Sequence, residues 1–335
     1  CMMKNKKSGA LLLRTERKGE HLVLGTLTVS EGEKKTGSLP VPGTEYELPL
    51  TVICGGEGPV TLITAGIHSA EYPGIQAAIE LAEETEPEKV KGTLIIVPVV
   101  NVSGIVRRCM SMVYEDNKNL NREFPGSPDG TVADRICHTV TTELFSRADY
   151  YLDLHSGDAF EELVPYIYYV GPVDAQVREK AYAMASCADV RYMVESQCTA
   201  GGAYNHASTL GIPSILLERG CRGLWNREQV EQDKADVRRI LSYIYEGILP
   251  DRDEFPEREL FEEAVYEDAP CAGFWYPRYH AGEKIREGET LGEIRDVFGK
   301  TLHICCAKAS GVILYQTCSL NIPEGGPMIA YGVRR

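Results

Sequence analysis

Residues 60–84 read VTLITAGIHSAEYPGIQAAIELAEE, and their pattern is the strongest indication of the architecture. Residues 60–67 form an apolar run without polar alternation, which is typical of a strand buried on both faces of a sheet. The Pro-Gly pair at residues 73–74 marks a turn, and the apolar residues after it recur at helical spacing. His68 and Glu71 stand between the strand and the helix. A buried strand followed at once by an amphipathic helix predicts an α/β fold.

The same succession of apolar strands and helical segments continues to about residue 250. Further strands are predicted at GTLIIVPVVN, YYLDLHSG, PYIYYVG and PSILLERG. Helices are predicted at TVADRICHTVTTELFSRA, QVREKAYAMASCA and REQVEQDKADVRRILSYIYEGI. Strands of this kind, separated by helices, predict a mainly parallel or mixed sheet with helices on both faces.

The two ends of the chain have a different sequence pattern from the middle. Residues 1–44 belong to a region of β-type alternation and are predicted as an N-terminal β extension, followed by an α/β domain over residues 45–252. Residues 253–335 contain repeated glycines between short β-like runs and predict a small all-β domain of barrel-sandwich shape. Lys308 lies near a glycine turn, as a lipoyl or biotinyl lysine does, but it lacks the neighbours typical of those carriers.

Composition excludes several classes of function. The formal net charge of −14 and a pI near 5.1 argue against nucleic-acid or anionic-membrane partners, because both need a basic surface. No stretch approaches the roughly 20 apolar residues of a membrane span, and the apolar run near the start is shorter than a secretory core. Eleven cysteines without a CxxC pair indicate reduced thiols and a cytoplasmic protein. A homo-oligomer is compatible with this composition.

The predicted strands end on residues with ligand and acid–base chemistry. In open α/β sheets, ligands bind beyond the carboxyl ends of the strands, and these ends carry His68 with Glu71, Asp153 with His155, and Glu218. Two histidines and a glutamate are the zinc ligands of thermolysin and carboxypeptidase A, which leave a position open for water. Glu218 is then the candidate general base, and Asp153 is placed to accept a hydrogen bond from a ligand imidazole.

Each of these residues has an ordinary interpretation when it is taken alone. His68 reads as an ordinary histidine with its hydrogen bonds satisfied, and His155 as a core histidine bonded to Asp153. Glu218 reads as a carboxylate paired with Arg219. The combination, in this order and at the ends of strands, favours a metal site.

The order GIHSAE, NLNREFPG, DLHSG and GIPSILLERG, followed by a glycine-rich β region, resembles the succinylglutamate desuccinylase/aspartoacylase family. That family belongs with the zinc carboxypeptidases of the carboxypeptidase A type. The resemblance covers roughly residues 45–335 and implies one zinc ion held by His68, Glu71 and His155, with Glu218 as the general base. The implied reaction is hydrolysis of a small N-acyl amino acid to a carboxylate and a free amine.

The resemblance also implies a substrate-binding pair and shows two departures. Asn121 and Arg122 would bind the substrate carboxylate, and a guanidinium suits this bidentately. The family has a second arginine ahead of this block, and Arg108 is favoured for it over Arg107, as a ligand of the substrate or the oxyanion. The family's glycine after the first histidine is Ser69 here, which would narrow the pocket or cap the following turn.

Two alternatives to a deacylase stay open at this point. A zinc carboxypeptidase acting on small peptides needs an open groove, whereas a covering β domain favours a small closed pocket. A metal-binding or ligand-binding protein without turnover is the second alternative. A related subgroup with this C-terminal domain acts on N-acetyl-diaminobutyrate. Tyr276 and Tyr279 are candidates to reach the site from the β domain.

Overall fold

A computed structural model of the protein describes residues 21–251, 255 and 257–334. Residues 1–20 of the predicted N-terminal extension and the predicted domain boundary at residue 252 lie outside these ranges. The described chain begins with a hairpin of β1 (His21–Leu24) and β2 (Leu27–Ser30). Helices and strands then succeed each other as the sequence predicts.

The centre of the molecule is a mixed sheet of nine strands. From one edge to the other they are β12 (Glu259–Phe261), β10 (Tyr192–Ser196), β9 (Tyr166–Val170), β11 (Ser214–Glu218), β7 (Tyr150–His155), β5 (Val60–Ala65), β6 (Thr93–Val97), β4 (Glu47–Cys54) and β3 (Lys34–Pro40). The central strands β11, β7, β5 and β6 pair in parallel. Antiparallel pairs occur between β9 and β11 and at the β6–β4–β3 edge. The predicted mixed sheet is confirmed.

Helices cover both faces of this sheet. One face carries α1 (Tyr72–Glu84), α4 (Ala175–Ala185) and α6 (Arg227–Glu246), which share one apolar cluster with the strands. The other face carries α3 (Val132–Thr139), which continues as a π-helix over Val140–Phe145, and α5 (Ala203–Thr209). The short α2 (Val102–Arg107) follows β6. Each fully buried Leu or Ile in these layers stabilises the fold by ~1.5–3 kcal/mol.

Two antiparallel sheets form the C-terminal part. One contains β13 (Glu263–Asp268), β20 (Pro327–Val333), β18 (Gly311–Thr317) and β15 (Lys284–Ile285). The other contains β17 (Thr301–Cys306), β16 (Thr290–Arg295), β14 (Gly273–Pro277) and β19 (Asn321–Ile322). They share a buried core that includes Trp275, Leu291 and Ile313. The predicted all-β region is confirmed.

The α/β and all-β parts exchange strands. After β7, the chain forms β8 (Glu161–Leu163), which pairs with β18 of the C-terminal part. In return, β12 pairs with β10 at the edge of the central sheet. Val312 and Leu314 of β18 belong to the same apolar cluster as the central sheet. The C-terminal sheets are therefore fixed to the α/β part by backbone pairing and by a common core.

Two further features concern the whole chain. Among the described helices, none combines the length and apolar character needed to cross a membrane. The cysteines of the described part are free thiols.

Candidate active site

The structure brings the three predicted metal ligands together at one edge of the central sheet. β5 and β7 are parallel neighbours, and the chain delivers His68 and His155 at their carboxyl ends. Gly66 follows β5 with a φ of 63°, a conformation that glycine adopts without strain, and turns the chain toward His68. The ligand atoms of His68, Glu71 and His155 all lie within 4.8 Å of one another.

The Glu71 carboxylate lies between the two imidazoles. Its Oε1 is 2.6 Å from His68 Nδ1, and its Oε2 is 2.9 Å from His155 Nδ1. The other ring nitrogens face acceptors: His68 Nε2 lies 2.9 Å from Asn119 Oδ1, and His155 Nε2 lies 3.1 Å from Asp153 Oδ2 without hydrogen-bond alignment. The acceptor at His68 Nε2 keeps the proton of that ring there and leaves its Nδ1 for a divalent ion; the Nδ1 atoms of both histidines face the Glu71 carboxylate.

The charges at this place fit a cation. Burial disfavours ionisation of Glu71, but the charges of His68 and His155 outweigh it and lower the pKa of Glu71 to about 2. Burial also disfavours a charged His68, and Glu71 outweighs it in turn and raises the pKa of that imidazole. An ionised carboxylate with two imidazoles directed at it through Nδ1 is a donor set that suits zinc, which displaces the imidazole protons when it binds.

A buried network holds the His155 side of the site. Asp153 is fully buried and accepts a hydrogen bond from Thr64 Oγ1 at 2.7 Å. Thr64 Oγ1 is itself 2.6 Å from the hydroxyl of Tyr151. The backbone N–H of Ser156 donates to Glu71 Oε2 at 3.1 Å. These contacts restrict the rotation of the ligands, as groups behind a metal site do.

Glu218 lies beside the ligands, and one oxygen of its carboxyl group has no hydrogen-bond partner among the described residues. It ends β11 directly opposite His155 in the ladder, and its Oε2 is buried without a hydrogen bond. Burial, reinforced by the charge of Glu71, raises its pKa well above the usual value. Because the backbone is extended here, Arg219 leaves from the opposite side and pairs with Asp233, 3.0 Å from Nε, and with Asp236. Arg219 therefore does not neutralise Glu218.

The predicted carboxylate-binding pair lies in a 3-10 turn at Leu120–Arg122. Asn121 Oδ1 accepts a hydrogen bond from the backbone N–H of Ala203 at 2.9 Å, so its Nδ2 donors remain for another group. The Arg122 side chain is exposed and donates to the carbonyl of Asn121 at 2.8 Å. Its guanidinium pairs with no carboxylate of the described residues, which leaves it open to a substrate carboxylate.

The loop between α2 and this turn carries the two candidate arginines, and both side chains are exposed. Arg108 ends α2 with a φ of 56° and an exposed side chain, and its guanidinium forms no ion pair with a described residue. Arg107 is also exposed and lies over the ring of Tyr114, 5.1 Å from its centroid. Ser69 uses its hydroxyl to fix this loop, because Oγ donates to the carbonyls of Cys109 and Met110 at 2.5 and 2.9 Å.

The tyrosines that approach the site from the C-terminal part are not the ones proposed from the sequence. Tyr276 is exposed with Arg295 over its ring, and Tyr279 donates to Glu289. Instead, Tyr315 and Tyr266 are the tyrosines within reach of site charges. Burial raises the pKa of both; the charge of Arg122 opposes this rise, and the charge of Glu218 adds to it at Tyr266. No sequence signal marks these two residues, because contacts between distant strands place them: Tyr315 lies on β18, which pairs with β8, and the Tyr266 hydroxyl lies 2.8 Å from that of Tyr168.

Asn119 and Glu161 are the other site residues that the motifs do not reveal. Asn119 lies inside the NLNREFPG block, where its position two residues before Asn121 is the only signal. Glu161 begins β8, and its charge acts on His68, Glu71 and Glu218.

This fold and this site define a family. A sequence model of the succinylglutamate desuccinylase/aspartoacylase catalytic domain matches residues 57–244, which include the three ligand candidates and Glu218. The chain belongs to the succinylglutamate desuccinylase/aspartoacylase family.

Individual relatives narrow the comparison. The chain is 28% identical over 284 residues to the N-alpha-acetyl-L-2,4-diaminobutyric acid deacetylase of Halomonas elongata, covering 81% of this chain and 78% of the relative. The product-bound ectoine utilization protein of Ruegeria pomeroyi has a similar structure, with a TM-score of 0.81, 26% identity and coverage of 95% of this chain and 100% of the other. A succinylglutamate desuccinylase of Silicibacter matches with a TM-score of 0.75 and 25% identity over 92% and 98% of the two chains.

Proposed function

We propose that the protein is a zinc-dependent amidohydrolase that removes the acyl group from an N-acyl amino acid. The observation that carries this proposal is the position of Glu218, opposite His155 in the ladder and beside the three ligand candidates. Membership of a family of amide hydrolases supports it. A zinc ion held by His68, Glu71 and His155 would supply Lewis acidity to the acyl carbonyl and to water.

The chain's own residues then divide the remaining work. Asn121 and Arg122 bind the carboxylate of the amino acid and so orient the amide toward Glu218. Glu218 takes a proton from the attacking water and passes it to the departing amine. Arg108 keeps its predicted role at the oxyanion, and the proposal does not depend on it.

The charge of the cleft favours a small neutral acyl group such as acetyl. A dicarboxylic group such as succinyl needs a second cation, but Arg107 and Arg108 are exposed and Arg107 lies over Tyr114. The name of the Halomonas relative agrees with acetyl removal. The C-terminal part covers this edge through the pairing of β8 with β18, and Tyr266 and Tyr315 lie within reach of the Arg122 charge, which favours a single amino acid over a peptide.

The test is a screen for amine release by the zinc-loaded protein. We expect hydrolysis of N-acetyl amino acids, less of N-succinyl amino acids and little of dipeptides. Glu218→Gln should bind one zinc ion and lose about 10²- to 10⁴-fold in kcat. His68→Ala should lose the zinc ion.

Other outcomes select the alternatives. Preferential cleavage of dipeptides would identify a carboxypeptidase. Zinc binding without hydrolysis across the panel would identify a binding protein, and full turnover by Glu218→Gln would remove Glu218 from the role of base.

A further inference from the structure

Tyr166 stands next to Glu218, on the side away from His155. In the central sheet β11 lies between β7 and β9, so Glu218 has His155 opposite it on one side and Tyr166 on the other. Side chains directly opposite each other in antiparallel strands leave the same face of a sheet, with Cβ atoms about 4.5–5.5 Å apart. Tyr166 and Leu216, which precedes Glu218 by two residues, share one apolar cluster on this face. The ladder therefore places a phenol beside the candidate base.

The hydroxyl of this phenol differs from its neighbours in having no partner. Tyr166 is 2% exposed, yet its hydroxyl forms no hydrogen bond with a described residue. Three other buried tyrosines of β7 and β9 each have a partner for the hydroxyl at 2.6–2.8 Å: Tyr151 with Thr64, Tyr168 with Tyr266, and Tyr169 with Glu195. Buried phenols ordinarily find a hydrogen-bond partner. The exception at Tyr166 indicates that its partner comes from outside the chain.

The groups around Tyr166 place it between the candidate base and the carboxylate-binding pair. Burial raises the pKa of Tyr166 well above its usual value, and the charge of Glu218 is the largest further cause. Tyr315 and Tyr266 come next among the groups that act on it. The charge of Arg122 reaches both of these tyrosines. The phenol therefore lies on the flank of Glu218 that faces Arg122, whereas His155 lies on the opposite flank.

The proposed reaction needs a hydrogen-bond acceptor on this flank. Glu218 takes a proton from water as the water adds to the acyl carbon, and it delivers that proton to the amide nitrogen. The C–N bond then breaks with its electron pair on nitrogen, and a carboxylic acid and an amine leave. For this transfer the nitrogen lone pair has to point at Glu218, so the N–H has to point elsewhere. With the substrate carboxylate on Arg122, the nitrogen lies on the Arg122 side of the acyl carbon, where Tyr166 stands.

We propose that the hydroxyl oxygen of Tyr166 accepts a hydrogen bond from the N–H of the scissile amide and thereby turns the nitrogen lone pair toward Glu218. This inference rests on the proposed deacylase function. Tyr166 is then a catalytic residue, because it touches the substrate at the reacting nitrogen. The hydrogen bond strengthens as the nitrogen gains a proton and positive charge, so it stabilises the transition state more than the bound substrate.

The test compares an amide with the ester that lacks its N–H, on the zinc-loaded, full-length protein. The amide is the N-acetyl amino acid that the wild type hydrolyses fastest in the screen, and the ester is the O-acetyl derivative of the matching 2-hydroxy acid. Both substrates carry the same acyl group and the same carboxylate. We expect Tyr166→Phe to lower kcat for the amide about 10- to 100-fold, with KM within about threefold of the wild type, and to leave kcat for the ester within about threefold.

Tyr169→Phe is the matched control. It removes a hydroxyl from a buried tyrosine of the same strand, but Tyr169 lies on the opposite face of the sheet and bonds to Glu195. Its kinetics on both substrates should equal those of the wild type. Zinc content and melting temperature are measured for each variant. Tyr166→Phe should melt no lower than the wild type, because it removes a buried hydroxyl that has no partner in the chain.

The outcomes separate this inference from the function on which it rests. An equal loss on amide and ester in Tyr166→Phe, or no loss on either, would overturn the role of Tyr166 and leave the deacylase intact. Equal hydrolysis by the wild type of the amide and its N-methyl derivative, which has no N–H, would do the same without any variant. No hydrolysis of any N-acyl amino acid by the wild type would overturn the proposed function and this inference with it.

Discussion

A single amide decides which nitrogen of His68 is free. Asn119 Oδ1 lies 2.9 Å from Nε2 and also accepts the backbone N–H of Asn121 at 2.8 Å. An acceptor at Nε2 keeps the proton there, so Nδ1 faces Glu71 with its lone pair. The side chain thus connects the metal site with the turn that binds substrate.

Replacement of Asn119 should therefore weaken metal binding. For Asn119→Leu, which has a similar shape without the acceptor, we expect zinc affinity to fall about 10- to 100-fold because the imidazole loses its orientation. Competition with a chromogenic chelator measures this without substrate. Asn119→Asp keeps an acceptor and is the control; equal affinities of Asn119→Leu and the wild type would refute the role.

At this scale, the sequence predicts the residues that stand at strand ends and misses those placed by long-range contacts. His68, His155 and Glu218 follow from the rule that ligands bind at the carboxyl ends of strands, and the structure does bring them together. The position of Glu161 depends on the pairing of β8 with β18, and that of Tyr266 depends on where β13 lies. Both depend on contacts between residues about 100 or more positions apart in the sequence. Local patterns contain no trace of such contacts.

Among the elements, α1 and α6 are joined by a buried lysine. The Lys234 side chain is 3% exposed and donates to Glu80 at 2.8 Å and to Glu84 at 2.6 Å. Hydrogen bonds from Lys234 and Arg227 lower the pKa of Glu80 to about 2, from a usual value of 4.5. A carboxyl whose pKa is lower in the folded than in the unfolded state stabilises the fold fully above the unfolded pKa.

We expect Glu80→Gln to lower the free energy of unfolding by ~1–3 kcal/mol at neutral pH. The difference from the wild type should shrink as pH falls below about 4.5 and vanish near the folded pKa of about 2, where both states are protonated. Urea unfolding at several pH values measures it. Glu83→Gln on the same helix is the control, because the Glu83 side chain is exposed and forms no ion pair with a described residue; a pH-independent difference for Glu80→Gln would contradict the assignment.

Helices and strands whose apolar residues recur at a regular spacing were predictable from the sequence. The helix α5, whose first turn is bonded by a distant side chain, was not. β5, β6, α4 and α6 lie where the apolar patterns place them. The seven-residue α5 has little apolar periodicity, and the first N–H of that helix is bonded by Asn121, which lies 82 residues earlier. Such a cap is invisible in the local sequence.

At the scale of the whole molecule, the exchange of strands predicts that the α/β and all-β parts unfold together. Variant Trp225→Phe leaves buried Trp275 as the single tryptophan, which reports on the C-terminal core. Far-ultraviolet circular dichroism reports mainly on the helices of the α/β part. We expect the two signals to give coincident urea transitions because β8 and β12 tie the parts together; separated transitions would show that the parts unfold independently.

The overall architecture was predictable because it follows from the succession of strands and helices, and from the change in sequence pattern after residue 250. The way in which the α/β and all-β parts join was not predictable. There, β8 and β12 each pair with the part of the molecule to which they do not belong in sequence. A short strand such as β8, with three residues, carries too little pattern to reveal its partner.

The position of Tyr266 and Tyr315 within reach of the Arg122 charge has an evolutionary consequence. Both residues lie on strands of the all-β part, whereas every candidate ligand and the candidate base lie on the central sheet or just beyond its strand ends. Mutations in β13 and β18 can therefore reshape the cleft while the hydrolytic residues stay in place. Related enzymes can therefore change substrate specificity through mutations in the all-β part while the catalytic residues of the α/β part stay the same.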